Sequence, residues 1–266
     1  MSFLLAAVLA AASLPATASL PASEIDRAIA MRRFDQARLM IAAAVKGGAS
    51  GAAIERPLAA LAFATGRNEE ALARLEALIL VAPDDAVLLE QATLAAMRSG
   101  KPDAAARFAE RATRHPAASW RAWNAKGVLA DGARNWAEAD RAYGHAEALA
   151  PDRAEVMNNL GWSRLLRGDW AGAAEALARA AALEPGSARI ANNLDLARMG
   201  QAPGLPTRRA GETSAAYAAR LNDAGVAAQA RGDARRARAA FAQAIEASGR
   251  WYARADANLA KVEGRQ

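Results

Sequence analysis

The chain has 266 residues, 53% of them hydrophobic, largely alanine and leucine, and only 5% aromatic; strand formers are sparse, so an all-α class is expected. It has no cysteine, which excludes disulfides, thiol nucleophiles and thiolate-bound metals. The net charge of +6 rests almost entirely on arginine and is uneven: residues 1–200 hold 23 basic and 22 acidic groups, whereas residues 201–266 hold 11 and 6.

From the N-terminus, Phe3 to Ala12 is an uncharged apolar run, and Leu14-Pro15-Ala16-Thr17-Ala18-Ser19 has the Ala-x-Ala form that suits signal-peptidase cleavage after Ala18. Residues 1–18 are therefore expected to be a signal peptide and the mature chain to be periplasmic. The run falls short of the ~20 residues a spanning helix requires, and Pro15 interrupts it. No Lys or Arg precedes the run, which keeps open an uncleaved inner-membrane anchor or a mis-assigned start codon. No cysteine follows it, so lipid attachment at a processed N-terminus is excluded.

Residues 19–200 read as a repeat array with a 34-residue period. Segments starting at Ala52, Ala86, Trp120, Ala154 and Ala188 place Gly66, Gly100, Arg134 and Gly168 in one turn column. Five places on stand Ala71, Ala105, Ala139 and Ala173, and Pro83, Pro116, Pro151 and Pro185 close the units. A regular period of this length means a solenoid, in which each unit buries its apolar face only against its neighbours. Within residues 154–187, Met157, Leu160, Gly161 and Leu165 mark one face of a first helix, and Ala173, Leu177 and Ala180 one stripe of a second. Gly168 suits the turn between them, Asp169 the start of the second helix, and Asp152 with Glu155 reads as a capping box for the first. Small Gly161, Ala173 and Ala180 are expected where the two helices cross. Residues 23–51 keep only Phe34 and Ala37 of the second-helix columns, and 188–200 read as a first helix without its partner.

Residues 201–212 hold two prolines and two glycines with no apolar period and read as a linker or long loop. The pattern resumes in residues 213–266: Gly225, Gly232-Asp233, Ala237, Phe241 and Ala244 occupy the earlier relative columns, and Asn258-Leu259-Ala260 begins a capping helix. Arg231, Arg235, Arg236 and Arg238 cluster there. A solvated helix face is one reading of that cluster. A docking patch for an acidic partner, or peripheral membrane contact with anionic headgroups, is the other.

No catalytic constellation is found. His115 and His145 have no carboxylates at metal-ligand spacing, so they read as helix-terminal or surface residues, and no metal or cofactor is expected. There is no phosphate-binding glycine loop and no Gly-x-Ser-x-Gly turn. No aromatic residues alternate with the local basic excess, which argues against nucleic-acid binding.

Asn159-Leu160-Gly161, Gly168-Asp169-Trp170, Ala173, Leu177, Ala180 and Pro185, and again Trp123, Gly127, Trp136, Ala139, Tyr143, Ala146 and Pro151, follow in order the pattern of the tetratricopeptide repeat (TPR), which the chain resembles. The resemblance implies a right-handed superhelical solenoid of antiparallel helix pairs. It also implies a non-enzymatic scaffold that holds a protein or peptide in a concave groove lined by the second, fifth, ninth and twelfth columns of each first helix. Those columns give Arg121, Asn124, Val128 and Asp131, then Glu155, Asn158, Trp162 and Leu165, then Arg189, Asn192 and Leu196, with Asn159 and Asn193 in the sixth. The expected partner-binding set is Arg121, Asn124, Asn158, Asn159, Trp162, Arg189, Asn192 and Asn193. Asparagine amides there suit a peptide backbone, and an exposed tryptophan suits a binding hot spot. The alternatives are that Trp162 packs against the adjacent helix and that Asn159 bonds internally. Asn124 and Val128 depart from the family's carboxylate-clamp pattern, which argues against C-terminal carboxylate capture. Residues 123–128, 158–163 and 187–194 also resemble the TPR proteins of bacterial tight-adherence (Flp) pilus assembly. Rival placements are a cytoplasmic or inner-membrane adaptor, or a non-catalytic subunit of an enzyme complex.

Overall fold

The computed structural model describes residues 22–201, 204–249 and 252–264; the expected signal peptide, residues 1–18, lies outside them. The chain forms two compact units, one reaching to Arg111 and the other beginning at Ala112. Among the described residues the regular structure is all α-helix, with no strand. In the first unit lie α1 (Ala22–Ala30), α2 (Phe34–Lys46), α3 (Ala52–Ala64), α4 (Asn68–Val81) and α5 (Ala86–Arg98), and α6 (Pro102–Arg114) begins there. The second holds α7 (Trp120–Gly132), α8 (Trp136–Leu149), α9 (Ala154–Leu166), α10 (Trp170–Leu183), α11 (Ala188–Gln201), α12 (Ser214–Ala230), α13 (Ala234–Ser248) and α14 (Ala253–Val262). The five segments read from the sequence as starting units begin α3, α5, α7, α9 and α11. No described helix is long and apolar enough to cross a membrane.

Each unit is folded by the same local chemistry. The turn between paired helices needs one left-handed residue, and Arg32 (φ 58°), Gly66 (79°), Gly100 (66°), Arg134 (55°), Gly168 (79°) and Gly232 (76°) supply it. The residue after each sends its amide back to the first helix: Arg67 to the Ala62 carbonyl at 2.8 Å, Asn135 to Ala130 at 2.8 Å, Asp169 to Arg164 at 2.9 Å, and Asp233 to Ala228 at 2.9 Å. These bonds satisfy carbonyls that a helix end otherwise leaves open. Arg32 stands 34 residues before Gly66, so α1 and α2 are one more helix pair in register, although only Phe34 and Ala37 mark it in the sequence. At the far end of each pair, α4, α6, α8 and α10 stop two residues before Pro83, Pro116, Pro151 and Pro185. Proline disfavours helical geometry in the residue ahead of it.

Side-chain caps start several helices. Asp85 Oδ1 accepts from the Val87 and Leu88 amides at 3.0 Å each, and Asp169 Oδ1 accepts from Gly172 at 2.9 Å, the role expected of Asp169. The capping box read at Asp152 and Glu155 is not formed. The residue that caps α9 is Arg153, whose side chain makes no cap bond, and Asp152 instead lies 3.9 Å from the Arg153 guanidinium. The helix starts one residue later than the motif requires.

Helix crossings in the second unit explain the small columns. A Cβ placed on Gly161 would lie 2.5 Å from Leu177 Cγ, one on Gly127 2.6 Å from Tyr143 Cε1, and one on Gly225 2.4 Å from Phe241 Cε1. Ala173 and Ala180 are fully buried at the same crossings, packed with Leu165, Leu177 and Ile190. First helices also lie side by side, α7 against α9 and α9 against α11. In the first unit, Ile25, Ile29, Ile41, Ile54 and Leu61 make one core, and Arg74 bridges Glu55 and Glu70 at its surface.

Of the segment read as a linker, the described residues from 204 on form no helix and are held at several points. Leu205 packs with Leu221, Ala244 and Ala255, and the Tyr217 hydroxyl donates to the Pro206 carbonyl at 3.2 Å. Arg220 holds the Glu212 carboxylate at 2.9 Å, with both side chains largely buried.

Candidate functional site

The eight residues expected in the groove lie on α7, α9 and α11, the three first helices that stack side by side in the second unit. Their side chains divide into two groups. Asn124 and Asn158 are buried, 6% and 3% exposed, and their amides are occupied by the next helix in the stack. Asn159 Nδ2 donates to Asn124 Oδ1 at 3.1 Å, and Asn193 Nδ2 donates to Asn158 Oδ1 at 2.9 Å. A 3.4 Å contact from Asn158 Nδ2 to Asn159 Oδ1 joins the two rungs. The same rung recurs between α14 and α12, where Asn258 Nδ2 donates to Asn222 Oδ1 at 3.0 Å. Internal bonding, weighed from the sequence for Asn159 alone, thus extends to all four asparagines. In each of these three rungs a fifth-column carbonyl accepts from a sixth-column amide on the neighbouring first helix, 35 or 36 residues on.

The other four residues face solvent. Arg121, Arg189 and Asn192 are exposed, as is Glu155 between the two arginines in the second column. Among the described residues none of these charged groups forms an ion pair; the Arg121 guanidinium instead lies 4.6 Å from the Trp120 ring centre. Trp162 is 43% exposed, so its ring both packs and presents a face. Its ninth-column neighbours, Val128 and Leu196, are half-buried. The stack therefore offers an apolar row centred on Trp162 and, nearer the helix starts, a row of unpaired charge.

The twelfth column turns inward, contrary to the groove pattern. Asp131 is 8% exposed and accepts from the Ser163 hydroxyl at 2.6 Å and the Tyr143 hydroxyl at 2.8 Å, linking α7, α8 and α9. Burial raises the Asp131 carboxyl above its usual range while the two hydroxyl bonds pull the other way. The Tyr143 phenol is driven far upward by its own burial and then by the Asp131 charge. Leu165, the twelfth-column residue of α9, belongs to the core with Ala173 and Leu177.

His145 stacks on Trp123 with ring centres 4.2 Å apart, and His115 Nδ1 accepts from the Ala117 amide at 3.0 Å just past the end of α6. Among the described residues no group of three acidic or histidine side chains is placed to hold a metal ion. The arginine cluster is not simply a solvated face. Arg231 donates to the Gly200 carbonyl, Arg236 donates to Gly204 at 2.6 Å, and Arg238 lies 3.7 Å from Glu263. Only Arg235 has no such contact among the described residues.

Neither a scan against protein-family models nor a comparison with curated proteins finds a match. Solved structures do match. PilW, a type IV pilus biogenesis factor, aligns over 93% of this chain and 100% of its own, with 15% identity and a TM-score of 0.57. The Cut9–Hcn1 structure of the APC/C aligns over 91% of this chain with 14% identity and a TM-score of 0.57; the alignment spans 42% of that longer chain. A tetratricopeptide repeat protein from Parabacteroides merdae aligns over 91% of this chain and 96% of its own, with 13% identity and a TM-score of 0.55. The 34-residue pattern, the left-handed turn residues and these alignments together give the chain the tetratricopeptide-repeat fold.

Proposed function

We propose that the chain is a non-catalytic scaffold that binds a protein segment on the exposed row of α7, α9 and α11. The observation that carries this reading is the half-exposed Trp162, set between Val128 and Leu196 on three parallel helices and bordered by Arg121, Glu155 and Arg189, which form no ion pair among the described residues. A large aromatic surface in such a row suits an apolar anchor, and uncompensated charge beside it suits a polar flank on the partner. Because Asn124, Asn158, Asn159 and Asn193 bond to one another, selection rests on partner side chains more than on its backbone. Asn192 is the asparagine of the set left exposed. The test is capture from envelope extract by wild type, by Trp162→Ala and by the exposed-face control Ala178→Leu, with folding checked by circular dichroism. Proteins held by wild type and the control but lost by folded Trp162→Ala support the site; capture unaffected by Trp162→Ala removes it.

We further propose that the scaffold works in the cell envelope, in pilus or secretion assembly. Support comes from the apolar run and Ala-x-Ala site of residues 3–18, from the three segments that resemble tight-adherence pilus TPR proteins, and from the fold shared with PilW. The protein recovered from its host should begin at Ser19. Mass spectrometry showing an intact Met1 in a soluble cytosolic fraction would refute export.

A further inference from the structure

We infer that Arg231 and Arg236 form a guanidinium latch that caps the open end of α11 and holds in place the last wall of the proposed binding row. At every other described turn from a first helix, the residue after the left-handed position returns its amide to the helix, as Asp169 does to Arg164 and Asp233 to Ala228. By the sequence register the residue 34 places after Asp169 is Pro203, which has no amide hydrogen to give to the Arg198 carbonyl, the counterpart of Arg164. The terminal carbonyls of α11 must then find other donors or remain open. They find them one helix pair away. The Arg231 guanidinium donates to the Gly200 carbonyl and Arg236 Nη2 reaches that of Met199 at 3.4 Å; the same nitrogen donates at 2.6 Å to Gly204, just past the helix. A cation at a helix C-terminus is also favoured by the helix dipole. Gly200 in turn abuts the Trp170 ring, where a Cβ would lie 2.2 Å from Cε3, so the latched end is seated on the preceding unit.

The latch couples the C-terminal helices to α11, which carries Arg189 and Asn192; that consequence rests on the binding row proposed above, whereas the latch itself does not. Amide hydrogen exchange on the full chain tests it without a partner. In Arg231→Ala/Arg236→Ala, amides of residues 197–201 should exchange at least about tenfold faster, since a charge-assisted hydrogen bond contributes a decade or more in an opening equilibrium. Amides of α9 should keep their wild-type protection. Arg231→Lys/Arg236→Lys should fall between, because an ammonium keeps a donor but loses the fork. Arg235→Ala/Arg238→Ala, with the same loss of charge, should leave residues 197–201 unchanged. Unchanged protection in the first variant, loss spread evenly from α7 to α14, or an equal effect of the Arg235/Arg238 variant would each overturn the latch.

Discussion

Two asparagines in the same column of successive helices give a matched test of the amide ladder. Asn158 is 3% exposed, and its Oδ1 accepts from Asn193 Nδ2 at 2.9 Å; Asn192 sits one unit on, exposed and, among the described residues, without a bond to the next helix. Asn158→Ala removes that bond and the longer one to Asn159, and it strands the Asn193 amide at a partly buried position. The net value of a neutral hydrogen bond is about 1 kcal/mol and the cost of a stranded buried group about 1–3 kcal/mol; Asn193 is only half-buried, so the low end applies and the loss is about 1–2 kcal/mol. For a body of roughly 150 residues that shifts the melting temperature by about 2–8 °C. Asn192→Ala removes a solvated side chain and should stay within about 0.5 kcal/mol of wild type. Thermal melts of the full chain followed by circular dichroism decide the matter. Equal melting temperatures for the two variants would show that the ladder does not stabilise the stack. If Asn192→Ala weakened partner capture while Asn158→Ala only lowered the melting temperature, packing and binding roles would be separated within one column.

Three further outcomes are expected. Ala173→Leu forces extra volume into a fully buried crossing and should cost about 1–3 kcal/mol, as should Gly161→Ala against Leu177, whereas Ala178→Leu on the exposed face should be nearly neutral in urea denaturation. Arg134→Gly relieves a left-handed arginine and should raise stability by up to about 1 kcal/mol; a lower urea midpoint would mean that the arginine side chain contributes more than its backbone costs. Burial raises the Asp131 carboxyl above its ordinary 3.8, so the folded state holds that proton more tightly than the unfolded chain. The charged form therefore weakens the fold above the raised value, and the penalty disappears as pH falls below 3.8. In Asp131→Asn the amide oxygen accepts from one of the two hydroxyls and the amide nitrogen donates to the other, without charge, so this variant should gain stability relative to wild type as pH rises from about 3.5 to 7. A difference independent of pH would mean that Asp131 does not titrate in the buried network.

Turn glycines, closing prolines and small crossing residues made the array legible in the sequence, because each answers to a local rule: left-handed backbone, absent amide donor, or helices that touch. Helix starts at Ala52, Ala86, Trp120, Ala154 and Ala188 followed from that register alone. The first pair, α1 and α2, was nearly silent, since its left-handed residue is Arg32 rather than glycine and its core is aliphatic instead of patterned. The fate of the polar columns was not legible. Asn124, Asn158 and Asn192 are the same residue in the same column, yet two are buried rungs and one is exposed, and what separates them is whether a sixth-column asparagine stands on the next helix. Asp131 likewise reads as a groove residue until Tyr143 and Ser163 close over it. Charge shows the same division: the sequence placed four arginines together, but only the packed structure aimed two of them at carbonyls at the end of α11. Local backbone chemistry is written residue by residue along the chain, whereas the satisfaction of a buried polar group depends on a partner about 35 residues away and on the distance at which two helices settle.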